Sequence, residues 1–331
     1  MRRGSIVALL VIALVAGGVA TAVALVPTWL PVQASREAAR IHFVIWFVVV
    51  ICIVIFAIVA AALTYAVLRF RVREDDFEDG PPVHGHTGLE ITWTVIPFLL
   101  VTAIAIVSAI VLSRNDAQAQ DTLRIDVTAQ QFAFRFGYPE SQNVTSPVLR
   151  LPKGRSVELY MRSLDVIHSV FVPQFSQKED VVPGIVTQLH ITPTRLGTFP
   201  LECTELCGLG HSIMRSHVNI VSQADFAKFL KGGATTGPPG LAVFQKNGCG
   251  GCHTLKAAGS TGTTGPDLDK LKQYAAQANR GTLAAFIKES IVNPGAYIQP
   301  GYQNVMPTIF GTQIPPDKLN QLVQYLAQNA K

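Results

Sequence analysis

The last third of the chain carries two closely spaced cysteines that are followed directly by a histidine. Cys249-Gly250-Gly251-Cys252-His253 has the C-x-x-C-H spacing, in which two cysteines bond the porphyrin and the adjacent histidine ligates iron. A second axial ligand is needed, and Met306 is the only methionine after residue 214. A thioether ligand raises the reduction potential of haem iron, as electron transfer requires. The sequence predicts a covalent haem c with His253 and Met306 as axial ligands; a disulfide between Cys249 and Cys252 is the alternative.

A second cluster of soft ligands lies in the middle of the chain. Cys203 and Cys207 are four residues apart, His211 and Met214 follow them, and His168 lies upstream. A mononuclear copper site uses two histidines, one cysteine and a weak methionine, so one thiolate is left over. Sulfur and imidazole together select copper, and two thiolates suit a pair of copper ions that share an electron. A Cys2His2 zinc site, or a disulfide in the metal-free chain, remains an alternative.

These copper-type ligands fall in a region of short alternating runs. Strands are predicted for 123–127, 156–160, 185–191 and 218–221, which Pro and Gly residues separate. About 100 residues of such strands predict a β-sandwich or Greek-key barrel over 121–222. His190 and His217 lie in strand patterns without ligand spacing, and we expect them to be strand residues only.

The haem motif lies in a segment with helical periodicity. A linker rich in Gly and Pro is predicted over 223–240. Beyond it, Leu319, Leu322, Val323 and Leu326 form an i, i+3, i+4, i+7 stripe that predicts a C-terminal helix. We therefore expect an all-α domain over 241–331.

Two long apolar stretches precede both regions. Residues 41–68 and 91–112 carry no formal charge, and each is longer than the roughly 20 residues that span a bilayer. They predict a transmembrane hairpin over 35–120 with a connecting loop over 69–90. Arg69, Arg71 and Arg73 mark this loop as cytoplasmic, which places the rest of the chain outside the cytoplasm.

The N-terminus resembles an export signal. Arg2 and Arg3 precede an apolar run over 6–26, and Val32-Gln33-Ala34 follows it. This order predicts a signal peptide over 1–34 that is cleaved before Ser35. An uncleaved first helix is the alternative.

The overall composition excludes a single soluble domain and a nucleic-acid-binding protein. Only 15% of the 331 residues are charged and 49% are hydrophobic, whereas soluble domains carry about 25% charged residues. Lys and Arg number 27 against 22 Asp and Glu, with no dense basic run. The net charge of +5 comes from residues 223–331, which hold 10 basic and 5 acidic side chains.

From about residue 35 onward the chain resembles subunit II of bacterial cytochrome c oxidase, in the variety with a fused C-terminal cytochrome c domain. The segment CTELCGLGHSIM, residues 203–214, is similar to the most specific motif of that family. The resemblance implies a cupredoxin domain, a class I cytochrome c domain and the binuclear copper centre CuA. The implied CuA ligands are His168, Cys203, Cys207, His211, Met214 and the backbone carbonyl of Glu205. It also implies that the Glu205 side chain binds a Mg²⁺ shared with subunit I, because carboxylates are suitable hard ligands for that ion.

Two further segments resemble parts of the family. Leu89–Pro97 is similar to the start of the second membrane helix, where a glutamate lies at the mouth of a proton path; Glu90 is our hypothesis for proton uptake. A Glu that the helix dipole favours at an N-terminus is an equally good interpretation. Gly265-Pro266-Asp267-Leu268 resembles the cytochrome c loop whose Pro carbonyl orients the haem-ligating histidine.

The chain departs from the family near copper. Many relatives have a Trp-rich segment there, whose first Trp accepts electrons from a soluble cytochrome c. Here residues 130–136 read QQFAFRF, and no Trp follows Trp93. Either Phe132 takes that place or the tethered haem uses another route. Phe134 and Phe136 are expected to pack a strand face.

The function that the resemblance implies is electron input to a respiratory oxidase in the cell membrane. A donor such as a cytochrome c or the quinol–cytochrome c reductase would reduce haem c. The electron would pass to CuA and on to the haem–copper site of subunit I, where O2 is reduced and protons are pumped. Subunits I and III are the implied partners, and no side chain of this chain transforms a substrate. The alternatives are a membrane-anchored copper and haem carrier for another terminal reductase, and a copper-delivery protein.

Overall fold

The computed structural model describes residues 3–71, 82, 84–117, 121–141, 144–232 and 238–331. The chain divides into two compact units. One comprises residues 1–32 and 39–117, and the other comprises Gln33–Ala38 and Gln118–Lys331. Arg73 and the acidic run over 74–79, which belong to the predicted cytoplasmic loop, lie outside the described residues.

The first unit consists of three apolar helices, α1 Arg3–Leu25, α2 Arg36–Arg69 and α3 Thr87–Asp116. Among the described residues, these are the three helices long and apolar enough to cross a membrane. The sequence predicted a hairpin of two membrane helices, and α1 is a third helix that corrects this prediction. The Tyr65 hydroxyl donates to Ser5 Oγ at 2.8 Å, which joins α2 to α1. The run interpreted as an export signal is thus a full-length helix that contacts the hairpin.

The ends of the predicted hairpin are fixed by polar contacts. Near the start of α2, the Arg40 guanidinium donates to the Arg114 carbonyl at 2.8 Å and to Asn115 Oδ1 at 3.2 Å. These bonds satisfy acceptors at the end of α3, where helical carbonyls have no partner within the helix. At the start of α3, Glu90 Oε1 accepts from the His86 N–H while His86 Nδ1 accepts from the Leu89 N–H. This reciprocal pair is a variant of the capping box.

The second unit begins with a β-sandwich of two five-stranded sheets. Its strands are β1 Leu123–Gln130, β2 Ala133–Tyr138, β3 Val144–Ser146, β4 Leu149–Pro152, β5 Val157–Ser163, β6 His168–Val172, β7 Gln177–Val181, β8 Thr187–Ile191, β9 Gly197–Cys203 and β10 Arg215–Val221. The sheet orders are β3-β2-β1-β5-β8 and β4-β10-β9-β6-β7. Strands β1 and β5 are parallel, as are β4 and β10, whereas the other neighbours are antiparallel. The alternating residues of β1 and β5, such as Ile125 and Leu159, are fully buried between the sheets.

A short segment before α2 belongs to this β-sandwich. Ala34 is fully buried in its core; its N–H donates to the Gln174 carbonyl, and its own carbonyl accepts from the Thr194 N–H. Ser35 is 1% exposed and forms an antiparallel bridge with Pro193. The predicted cleavage point between Ala34 and Ser35 therefore lies inside a packed part of the domain.

The first part of the predicted linker over 223–240 is a helix, so the linker begins later than predicted. Residues Gln223–Gly232 form helix α4, and residues 233–237 lie outside the described residues. Phe226 and Phe229 of α4 pack edge-on against the ring of Tyr138, whose hydroxyl accepts from the Arg150 N–H at 2.7 Å. Burial of these aromatic rings fixes α4 to the β-sandwich.

The last region is helical, as predicted, and has its own core. It contains α5 Pro239–Lys246, α6 Cys249–Cys252, α7 Leu271–Ala278, α8 Leu283–Val292, α9 Phe310–Gln313 and α10 Pro316–Asn329, with a two-residue pair of strands, β11 Thr254–Leu255 and β12 Ser260–Thr261. All four members of the predicted stripe on α10 are buried. Their apolar face packs with the inner faces of α5 and α8.

Candidate functional site

The copper-type ligands are placed by the ends of two paired strands and the loop that follows them. His168 begins β6 and Cys203 ends β9, and these antiparallel strands are neighbours in one sheet. The chain then turns through Cys207 and His211 to Met214, whose carbonyl accepts from the Cys203 N–H at 3.1 Å. This bond closes the loop, so residues far apart in sequence share one end of the sheet.

The structure brings together every predicted ligand of the copper-type site. Cys203 Sγ and Cys207 Sγ are 3.8 Å apart, nearly twice a disulfide bond of about 2.05 Å. Around Cys203 Sγ lie His168 Nδ1 at 4.0 Å and the Glu205 carbonyl at 3.4 Å. Around Cys207 Sγ lie His211 Nδ1 at 3.6 Å and Met214 Sδ at 3.8 Å. His168 and Met214 are fully buried, and both cysteines are more than nine-tenths buried.

This donor set fits two soft metal ions better than one. Metal–donor bonds of about 2.0–2.3 Å place two donors of a tetrahedral ion about 3.3–3.8 Å apart, close to the spacings observed. Six donors exceed the four positions of one such ion. The Cys203 sulfur has an imidazole and a backbone carbonyl beside it, and the Cys207 sulfur has an imidazole and a thioether beside it. Thiolate, thioether and imidazole donors are those that copper prefers.

Hydrogen bonds around Cys203 favour its ionised form in the metal-free chain. Burial alone would raise the pKa of Cys203, but hydrogen bonds from His168, from the Ser169 backbone and from the Glu205 backbone lower it. Burial raises the pKa of Cys207, and the neighbouring Cys203 thiolate raises it further. Because cysteine binds metal as the thiolate, metal binding at this pair releases protons and should weaken as the pH falls.

Two residues that the sequence analysis did not single out as functional support these ligands. Asp165 Oδ1 is 2.7 Å from His168 Nε2, the ring nitrogen opposite the one that faces Cys203. Asp165 Oδ2 accepts from the Gln131 N–H at 2.6 Å, and Gln131 Nε2 donates to the Cys207 carbonyl at 2.6 Å. Burial opposes ionisation of Asp165, but the hydrogen bonds from His168 and from the Gln131 backbone outweigh it and lower its pKa. A carboxylate on the second nitrogen of a ligating histidine is a common support in metal sites. The Asp-Val-Ile-His sequence was a signal for Asp165, whereas no local signal marks Gln131.

The C-x-x-C-H residues and Met306 line one cavity in the helical domain. Cys249 and Cys252 lie on the single turn α6, His253 follows them, and Met306 comes from the segment between α8 and α9. The facing wall is apolar and includes Leu268, Phe286, Ile291, Phe310 and Leu322. Such a wall suits a flat hydrophobic cofactor, and the two cysteines and one histidine at its edge suit covalent haem.

His253 is held in one orientation within this cavity. Its Nδ1 lies 2.8 Å from the Pro266 carbonyl, so the ring donates at Nδ1 and leaves Nε2 free to ligate. Burial lowers the pKa of His253, which favours the neutral, ligating form. Gly265 lies so close to the ring that a Cβ at this position would overlap it. The segment Gly265–Leu268 therefore has the contact that its resemblance implied.

The remaining predicted residues lie in several places. Glu90 is exposed at the start of α3, where it caps the helix. His190 and His217 are in β8 and β10, and His190 Nε2 is 3.1 Å from Glu158 Oε1. Phe134 and Phe136 stack in the core of the β-sandwich, as expected for strand residues. Phe132 is only partly buried and lies in the turn between β1 and β2.

Family models match all three regions of the chain. The transmembrane domain of cytochrome c oxidase subunit II matches residues 21–111, and its periplasmic domain matches residues 123–221. A cytochrome c family model matches residues 239–330.

Several curated relatives carry the same family name. The chain is 29% identical to cytochrome c oxidase subunit 2 of Alkalihalophilus pseudofirmus over 285 residues, 80% of each chain. It is 33% identical to the Synechocystis subunit 2 over 201 residues, which cover 46% of this chain and 60% of that protein. Among solved structures, the periplasmic domain of subunit II of the Bradyrhizobium japonicum oxidase is 22% identical with a TM-score of 0.34, over 35% of this chain and 95% of that one.

The fold and the two sites define a membrane-anchored electron-transfer protein, with a sulfur-rich metal site in a β-sandwich and a C-x-x-C-H motif in a helical domain. The family models show which family of electron-transfer proteins this is. The chain belongs to the cytochrome c oxidase subunit II family, in the form that carries a C-terminal cytochrome c domain. Its function is that of the electron-input subunit of the oxidase, and as a subunit it associates with other subunits of that complex.

Proposed function

We propose that this chain accepts electrons at a haem c held by His253 and Met306 and delivers them through a binuclear CuA centre to subunit I. The observation that carries the proposal is the grouping of six donors: the sulfurs of Cys203 and Cys207, each with two further donors beside it. When bound, the haem and the copper pair would supply one-electron redox chemistry. The protein holds the two sites in one compact unit.

The copper ligands of the proposal are those that meet at the end of β6 and β9. Cys203 and Cys207 would hold the copper pair through their sulfurs, and each sulfur has an imidazole nitrogen within 4.0 Å that would complete the donor set. Buried sulfur donors in a preformed site need little rearrangement between oxidation states, which favours fast electron transfer. A single zinc ion does not fit this site, because zinc binds four ligands whereas six donors are present, and the thioether of Met214 is not a usual zinc ligand.

Glu205 has two roles in this proposal. Its backbone carbonyl faces Cys203, and its side chain, which is partly exposed, would bind the Mg²⁺ shared with subunit I. The positive charges of Arg69 and Arg71 at the end of α2 support a periplasmic location of the copper and haem domains, outside the inner membrane. Subunits I and III are the proposed membrane partners.

Glu90 is proposed as a proton-uptake residue. Because its side chain also caps α3 by accepting from the His86 N–H, a substitution that keeps this bond can test proton uptake separately. Glutamine serves in a capping box as well as glutamate, so Glu90→Gln keeps the bond to the His86 N–H but cannot carry a proton. Slower turnover with a weakened proton-pumping ratio supports uptake at Glu90. Normal turnover and pumping in the same variant leave Glu90 as a helix cap only.

The charge of the haem domain indicates the kind of donor that it meets. Residues 223–331 hold 10 basic and 5 acidic side chains, whereas residues 121–222 hold 9 of each. A donor with an acidic contact surface would be attracted to the haem domain, and salt would weaken that attraction. Electron input that does not change between low and high ionic strength would remove this part of the proposal.

Metal counting tests the cofactors directly. The full chain, matured with haem and copper and purified in detergent, is expected to hold two copper ions and one covalent haem. Cys207→Ala should lose copper and keep haem, and Cys249→Ala should weaken covalent haem attachment and keep copper. Cys52→Ala, which changes an exposed cysteine of α2, is the matched control and should keep both. A single copper or zinc per chain contradicts the binuclear site.

A further inference from the structure

The turn between β1 and β2 lies between the copper-type site and the haem cavity. On one side, the Phe132 ring packs so closely on Gly210 that the glycine has no room for a side chain. On the other side, Phe132 and Ala133 line the haem cavity together with Cys249 and Cys252. A Cβ on Gly248 or Gly251 would lie 3.7 or 3.9 Å from the Ala133 methyl, which shows how near α6 comes. The turn therefore touches both redox sites.

Gln131 is the residue of this turn that bonds to the copper-type ligands. Its side-chain amide donates to the Cys207 carbonyl at 2.6 Å. Its backbone N–H donates to Asp165 Oδ2 at 2.6 Å, and the other oxygen of that carboxylate holds His168 Nε2 at 2.7 Å. One residue is thus linked to a sulfur ligand through its side chain and to an imidazole ligand through its backbone.

We propose that Gln131 is a positioning residue that fixes the copper loop, residues 203–214, against the turn facing the haem cavity. The inference rests on the proposed function and extends it, because it assigns a role to a residue that touches neither metal. Cys207 lies on a loop whose backbone–backbone hydrogen bonds join Cys203 to Met214 and residues 208–214 to one another. The Gln131 amide supplies an attachment at the middle of that loop. Removing it should loosen the Cys207 sulfur without unfolding the sheets.

The test uses Gln131→Leu in the full chain. Leucine fills similar space but cannot donate, whereas the backbone bond to Asp165 remains. The net value of one such hydrogen bond is about 0.5–1.5 kcal/mol, so opening of the loop should become about 2- to 12-fold more frequent. Amide hydrogen exchange of residues 203–214 in the copper-free chain measures this opening. Gln188→Leu, on the exposed side of β8, is the matched control and should leave exchange unchanged.

A spectroscopic readout accompanies the exchange measurement. In the copper-loaded chain, Gln131→Leu should change the copper hyperfine splitting and the near-infrared band, because the Cys207 sulfur shifts relative to its partner. Gln131→Glu keeps the side-chain length but places a carboxylate against the Cys207 carbonyl, so it should disturb the spectra more than leucine does.

The possible outcomes separate this inference from the proposed function. Faster exchange confined to 203–214, together with altered spectra, supports the positioning role. Wild-type exchange and spectra in both variants overturn it, and so does faster exchange that is equal in β1 and β5, since that shows a general structural role. If the unaltered chain itself fails to bind two coppers, the proposed function fails instead.

Discussion

Asp165→Asn is the substitution whose effect on copper binding can be worked out most fully. The carboxylate is 15% exposed and receives hydrogen bonds from the His168 ring, from the Gln131 backbone and from the Val166 backbone, all within 2.7 Å. Asparagine keeps one oxygen but turns an NH2 group toward one of these donors. His168 Nε2 then donates to a neutral oxygen instead of a carboxylate, or faces an NH2 group that cannot accept. In either case the ring is held less firmly with Nδ1 toward Cys203.

The size of this effect follows from the kind of bond lost. A hydrogen bond to a charged group contributes about 1.5–3 kcal/mol, which corresponds to a factor of about 10–150 in an equilibrium constant. Loss of an outer carboxylate partner typically costs about 10- to 100-fold in metal affinity. We therefore expect Asp165→Asn to weaken copper binding by about 10- to 100-fold, with no loss of haem.

The assay is a titration of the copper-free chain with copper against a competing chelator, with haem content measured in the same sample. Asp126→Asn is the matched control, because Asp126 pairs with Arg124 on an exposed strand face, where such pairs contribute little. Equal copper affinity in Asp165→Asn and the unaltered chain would show that the carboxylate does not orient His168, and the reasoning about this site would fail.

Three further predictions concern the haem site, helix α4 and the N-terminal segment. Gly265→Ala forces a methyl group against the His253 ring and should shift the haem absorption spectrum and lower the reduction potential, whereas Gly295→Ala, with room for a Cβ, should leave both unchanged in spectroelectrochemical titrations. Phe226→Ala removes a ring that is 4% exposed and should destabilise the β-sandwich by about 3–5 kcal/mol in denaturant unfolding; a loss below about 1 kcal/mol would show that α4 is not fixed there. Because Ala34 is part of the β-sandwich core, any cleavage that removes α1 should fall upstream of Gln33, and N-terminal sequencing that begins at Ser35 would contradict this.

The sequence predicted the elements that have a strong local pattern. The stripe on α10 and the two long apolar helices appear where periodicity and length place them. Burial of one face determines α10, whereas length and apolar composition alone identify the two long helices. Strand β7, with the sequence QKEDV, carries no apolar alternation and was missed, because its pairing with β6 decides its conformation. Helix α4 was not predicted, because the Gly and Pro residues that follow it led us to begin the linker at residue 223. The apolar side chains of Phe226 and Phe229 were the sequence feature that indicated a packed helix there.

The copper-type site shows the same division between local and distant information. The spacing of Cys203, Cys207, His211 and Met214 could be interpreted without coordinates, since they lie on one loop. The supporting hydrogen bonds could not be predicted from the sequence, because Gln131 is 76 residues away from Cys207 and 34 residues away from Asp165. Their partners are determined by which strands lie side by side, and a single sequence contains no direct sign of that.

The central claim is that one chain carries electrons from its own haem to its own copper centre. Rapid photoreduction of the haem in the purified, fully loaded chain tests it most directly, with the haem band and the near-infrared copper band recorded together. We predict that reoxidation of the haem and reduction of the copper follow one rate constant that does not change with protein concentration. A haem that stays reduced, or a rate proportional to protein concentration, would contradict the claim.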